Sequence, residues 1–297
     1  VPELLAAIAV VLVAYLLARS FRSFREARRE IPRSQPIVHE FWLWTTHDKL
    51  PASQEINHRL LAANPHNQPS QPAVRLDYRQ VEADVRIHIG ISLRRKNPHV
   101  FEPNFFADET VVPPEAGRIM AAARSIVAVR FTSEELVADR NYLHVLTHVA
   151  DALAELTQSE LIYDREGMRM WPAQEWAAGM MRENARQDFD KTVQIHSVEE
   201  PDGWWLHTHG LRKYGLPDLE MTEVAREQRA VGTNVLRELA ERAIQSPDAL
   251  RDGEIELFGR QHRIVFTHST RKSSHHRGLV LEAVDTTSIV DQIVYEG

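Results

Sequence analysis

Two histidines two residues apart, His207 and His209, are the side chains of this sequence best spaced to do chemistry. On a strand, residues i and i+2 point to the same face, and two imidazoles on one strand make half of a metal site. Asp218, Glu220, His262 and His268 are the residues that could complete it. The chain holds fifteen histidines, however, so such a pair arises readily by chance, and a histidine at a strand end often only bonds a carbonyl. No third ligand stands at a fixed spacing. The expectation is therefore no metal and no cofactor, with a metal-assisted hydrolase built on His207 and His209 as the alternative.

The pair opens the densest stretch of the chain, His207 to Glu220, with Trp204 and Trp205 just before it. Gly215 can take a positive φ and Pro217 fixes the next turn, so the stretch reads as backbone design. Arg212 and Lys213 could bind an anion, but pairing with Asp218 and Glu220 is the simpler reading. Gly210 to Glu220 is expected to form a compact, mostly exposed turn beneath Trp204 or Trp205, at one edge of a sheet. A shaped loop on a rigid sheet is where recognition usually lives. His207, His209, Arg212, Lys213, Asp218, Glu220, Trp204 and Trp205 are thus the candidate contacts for a protein partner or small ligand.

Other constellations carry less. His144, His148 and Asp151 share one helix face without forming H-E-x-x-H, and read as the polar face of an amphipathic helix. Ser273, Ser274, His275 and His276 lack an orienting third group for a nucleophile. The nucleophile-elbow, phosphate-loop and dinucleotide-binding motifs are absent. The chain has no cysteine, which removes disulfides and thiolate-ligated metals.

The elements that must position the patch alternate in type. Residues 36–44 read as a strand, 81–93 as a half-buried strand, 115–124 as a helix, 125–131 as a strand and 142–156 as a helix. A short strand at 161–163, a turn and a helix over 172–186 follow. Further on come strands at 192–198 and 204–208, joined by an Asp202-Gly203 turn. A long helix is expected over 222–245, N-capped by Thr222, then strands at 254–258, 262–267 and 278–284. The tracts 64–72 and 271–277 read as loops. The predicted fold class is α+β: mixed, mostly antiparallel sheets with helices packed on one face, in two similar-sized subdomains, 36–186 and 187–297.

Before these, Leu4 to Ala18 is apolar without a break, and six arginines fall within residues 19–33. The run is short for a roughly 30 Å hydrocarbon core, but flanking residues extend it and Arg19 can snorkel. Residues 1–21 are expected to be a transmembrane helix, and 22–35 a basic juxtamembrane segment on anionic lipid. The positive flank places the rest of the chain in the cytoplasm, attached to the inner membrane in a single pass. The net charge is −7 despite this basic segment. The remainder is more acidic still, which excludes a nucleic-acid partner.

The string W-L-H-T-H-G-L-R-K-Y-G-L-P-D-L-E, residues 205–220, resembles a signature of uncharacterised bacterial domain-of-unknown-function proteins, H-T-x-G-[LM]-x-K-[FY]-G-x-P-[DE]-L-E. The segment from Leu153 to Trp176 also looks like that group's alanine-rich helix, short strand and E-W-containing helix. The resemblance implies a bacterial α+β protein and no particular activity. The apolar N-terminus is not part of the shared pattern.

Overall fold

The computed structural model describes residues 34–62, 84, 86–106, 110–137, 140–180, 189–246, 250, 253–269 and 280–284. The expected membrane span 1–21, the basic segment up to residue 33 and the tracts 64–72 and 271–277 lie outside the described residues. Among the described residues no helix is long and apolar enough to cross a membrane.

The architecture is α+β, with two sheets. The first has five antiparallel strands in the order β2-β3-β1-β4-β5, namely β1 (Ile37–Thr45), β2 (Ile87–Leu93), β3 (Ser125–Ser133), β4 (Leu161–Asp164) and β5 (Arg169–Pro172). Its central strand β1 is rich in aromatic and β-branched residues, which suit a pleated surface, and all nine of its residues are buried. At the edge, β2 keeps the alternation legible in its sequence: Ile87, Ile89 and Ile91 are half-buried, while His88 and Gly90 are exposed.

Burial on both sides of β1 means both faces are covered, which corrects the expectation of helices on one face only. Phe131, opposite His39, stacks on Tyr142 of α3 (Asn141–Leu156) at 4.5 Å, so that helix covers the face carrying Phe41 and Leu43. On the other face Trp42 and Trp44 join a core with Phe101 and with Ala116, Ile119 and Met120 of α2 (Ala116–Ala122). A further helix, α1 (Ser53–Ala62), packs beside α3 through Arg59, which pairs with Asp151 at 2.9 Å. After β5 come α4 (Ala173–Met180) and the single turn α5 (Phe189–Thr192).

The second sheet has the order β6-β7-β8-β11-β10-β9. It comprises β6 (Gln194–Glu200), β7 (Gly203–His209), β8 (Asp218–Val224), β9 (Gly253–Leu257), β10 (Arg260–His268) and β11 (Val280–Val284). All its pairings are antiparallel except β8 with β11. The helix α6 (Arg229–Gln245) covers the face that carries Leu206: a Cβ at Gly232 would lie 2.8 Å from the Leu206 side chain.

That helix begins at Arg229, not at Thr222. Residues 218–224 are held as a strand between β7 and β11, and the Thr222 hydroxyl donates sideways to Glu282 at 2.6 Å instead of capping a helix. The first sheet draws its strands from residues 37–172 and the second from 194–284, and Ser34–Gly297 forms one compact unit.

Because both faces of β1 are core, truncating either should be costly. Phe41→Ala and Trp44→Ala are each expected to destabilise the protein by about 3–5 kcal/mol. Ile89→Ala on half-buried β2 should cost clearly less. Urea denaturation midpoints check this, and a Trp44→Ala loss below that of Ile89→Ala would contradict a two-sided core.

Candidate functional site

The stretch after β7 turns sharply. Gly210 at φ 114° and Gly215 at φ 71° bracket a 3-10 turn, Leu211–Tyr214. A Cβ on Gly210 would meet the Thr192 carbonyl oxygen at 2.4 Å, so only glycine fits that approach. Gly215 packs against the strand entering β1, where the Gln35 N–H donates to its carbonyl at 2.9 Å. The Gln35 side chain donates to the Leu216 carbonyl at 2.6 Å.

The turn is therefore a clasp onto the first sheet. It is neither mostly exposed nor seated beneath a tryptophan. Lys213 is 1% exposed. Its ammonium pairs with Asp164 at the end of β4 and donates to the Thr192 carbonyl at 2.7 Å. Asp164 also accepts the Gly167 N–H at 3.1 Å. Tyr142 Oη donates to the Lys213 carbonyl at 2.7 Å, and Tyr214 Oη donates to Thr192 at 2.8 Å. Burial, aided by the Lys213 charge, holds the His39 imidazole well below its ordinary pKa.

The expected local ion pairs do not form. Arg212 faces Glu166 at 3.6 Å, and Asp218 and Glu220 take other roles. Asp218 accepts from the Thr208 hydroxyl at 3.1 Å and the Leu211 N–H at 3.2 Å, and Thr208 receives the Leu219 N–H at 2.8 Å. This knot ties β7 to β8. Burial outweighs these hydrogen bonds and pushes the Asp218 carboxyl up to about 7. The two tryptophans point to opposite faces of β7. Trp204 Nε1 donates to the Arg226 carbonyl at 3.2 Å, whereas Trp205 Nε1 donates to Glu220 Oε2 at 2.9 Å.

The Trp205 face holds the histidines. His207 and His209 share it, as their spacing predicts, and His196 on β6 lies directly opposite His207. The three rings pack together, with centroids 5.6 Å apart for His196–His207, 4.9 Å for His196–His209 and 5.0 Å for His207–His209. One ring nitrogen from each can be chosen so that all three lie within 4.8 Å of one another. Exposure is 9% for His196, 0% for His207 and 3% for His209. Trp205 lies against His207 with centroids 4.0 Å apart.

His262 and His268 do not complete the set. β10 stands three strands from β7, about 14 Å away at the usual inter-strand spacing. The third member, His196, escaped the sequence reading although its signal was present. The turn falls at Pro201-Asp202, one residue before the expected Asp202-Gly203, so Glu200 stands opposite Gly203 and His196 opposite His207; counted from the expected turn it would stand opposite His209. The separate pair His144 and His148 is not the polar face expected of it: His144 is buried, and their Nε2 atoms are 3.1 Å apart.

Residues 193–274 match the family model described as "Protein of unknown function (DUF4026) C-terminal". The match encloses the β6–β7 hairpin, the clasp and β8, but not the segment 153–176. No curated protein and no solved structure matches the chain.

Lys213→Met would leave Asp164 buried without its cation, at an expected cost of about 3–5 kcal/mol in denaturant-measured stability. Adding Asp164→Asn should return part of that loss. The raised Asp218 pKa has its own signature. Its folded value of about 7 lies above the ordinary 3.8. The protonated form therefore favours the fold fully below that ordinary value, and the benefit is lost as pH rises to about 7. Asp218→Asn should flatten the fall in stability over that window, measured by denaturation at stepped pH.

Proposed function

We propose that this chain is a membrane-tethered α+β module that holds one divalent transition-metal ion on His196, His207 and His209. The observation that carries the reading is the convergence of three buried imidazoles on one face of a hairpin. Ring nitrogens around a tetrahedral zinc ion sit about 3.3 Å apart, given metal–nitrogen bonds of about 2.0–2.1 Å. Closing the 4.8 Å limit to that value requires the three side chains to rotate toward one another. With no cysteine in the chain, the donors are nitrogen and oxygen, which suit zinc, iron, cobalt or nickel rather than a copper(I) thiolate site.

Holding an ion fits this burial better than turning over a substrate. A catalytic zinc keeps a coordination position open to water or substrate, and three ligands under 10% exposed give the hydrolytic alternative no support. The buried Lys213, Asp218 and Glu220 likewise favour a clasp over a surface for a protein partner. The tether is supported by the apolar run from Leu4 to Ala18 with its arginine flank, which would face the module to the cytoplasm. The acidity of the remainder supports no nucleic-acid partner.

Elemental analysis of the purified protein should find about one equivalent of transition metal, or accept one on titration, and His207→Ala should abolish it. No stoichiometric metal in either state would refute the reading. For the tether, the full-length protein should pellet with membranes and need detergent for release. Recovery in the soluble fraction without detergent would refute that part.

A further inference from the structure

The residue opposite His207 on its other side is Glu220 of β8. Next to Glu220, across the parallel pairing, stands Glu282 of β11. Residues opposite one another share a face, so a single row crosses four strands: His196, His207, Glu220, Glu282. Glu220 is 0% exposed. One oxygen accepts the Trp205 indole N–H; the other, Oε1, is buried and takes no hydrogen bond among the described residues. No described cation pairs with it. A buried carboxylate in that state is costly unless a positive charge compensates it, and a second carboxylate beside it raises the cost.

We infer that Glu220 is the fourth ligand of the metal proposed above, binding through Oε1 while Trp205 holds Oε2. This rests on the three-histidine reading and adds to it a donor and a charge balance. The Glu220 oxygens do not share the 4.8 Å spacing that the three histidine nitrogens have, so the carboxylate has to swing toward an ion on the His207 ring, across a cross-strand Cβ separation of about 4.5–5.5 Å. The indole N–H then does what outer hydrogen bonds do at metal sites: it fixes the ligand's orientation. One carboxylate on a divalent ion leaves a net charge of +1 on the ion and its ligands, with Glu282 in the next position of the row. Such a set favours a borderline divalent ion such as zinc(II) or cobalt(II).

The test is zinc(II) affinity, by chelator competition, for the full-length protein and for Glu220→Gln and His207→Ala, alongside the cobalt(II) visible spectrum. The histidine variant should lose stoichiometric binding. Glu220→Gln should still bind one equivalent but at least about 10-fold more weakly, the lower end of what losing even an outer hydrogen-bond partner costs, with a changed cobalt spectrum. Zinc affinity and cobalt spectrum both unchanged in Glu220→Gln would overturn the assignment of Glu220 and leave the histidine site standing. No binding to the unsubstituted protein would overturn both. Should Glu220→Gln fail to fold, the zinc-minus-apo infrared difference spectrum of the unsubstituted protein decides. A shifted carboxylate stretch is expected, and its absence would overturn the inference.

Discussion

The contact between Lys213 and Asp164 is where the two sheets become one structure. The lysine comes from the turn between β7 and β8, the aspartate from the end of β4. A buried pair of this kind need not add stability over two apolar residues of the same size, because desolvation offsets the attraction. What it does is make misplacement expensive. A turn that docked one residue out of step would leave an ammonium and a carboxylate in a dry interior with nothing to answer them. The Thr192 carbonyl and the Gly167 N–H take up part of the remaining hydrogen-bonding capacity, so the pair sits in a specified pocket and not merely a hydrophobic one.

The position of the clasp has a consequence for the opposite face of the sheet. Gly210 follows His209 directly, and Asp218 stands two residues before Glu220. The knot of Thr208, Asp218 and Leu219 locks β7 against β8 between those points. A one-residue slip would send His207 and His209 to the α6 side. The features that make residues 207–220 dense in glycine and charge are therefore the ones that hold the histidine row in register.

Much of this was legible in the chain and some was not. Strand patterning in β1 and β2 and the helix expected over 142–156 follow from local periodicity, which is a property of neighbouring residues, whereas the turn expected at Asp202-Gly203 falls one residue earlier, at Pro201-Asp202. The start of α6 was misplaced because Thr222 is a good cap by type, while its actual partner, Glu282, is sixty residues away. The exposure of the patch was misjudged for the same reason. Arg212, Lys213, Asp218 and Glu220 look like a solvated mixed-charge loop until Asp164, Glu166 and Trp205 are brought to them by pairings that no local pattern encodes. His196 is the intermediate case: a hairpin turn near Asp202 brings it to the other two histidines, but its place opposite His207 depends on the turn being Pro201-Asp202 and not Asp202-Gly203.

The central claim is that the β6–β7 hairpin exists in this form to hold a metal ion. It is tested most directly by a crystal structure of the protein grown with zinc(II), with diffraction recorded on both sides of the zinc absorption edge. The account predicts one strong anomalous peak bounded by the rings of His196, His207 and His209 and by the Glu220 carboxylate. A zinc-loaded crystal with that space dry and zinc bound only at surface histidines would contradict it.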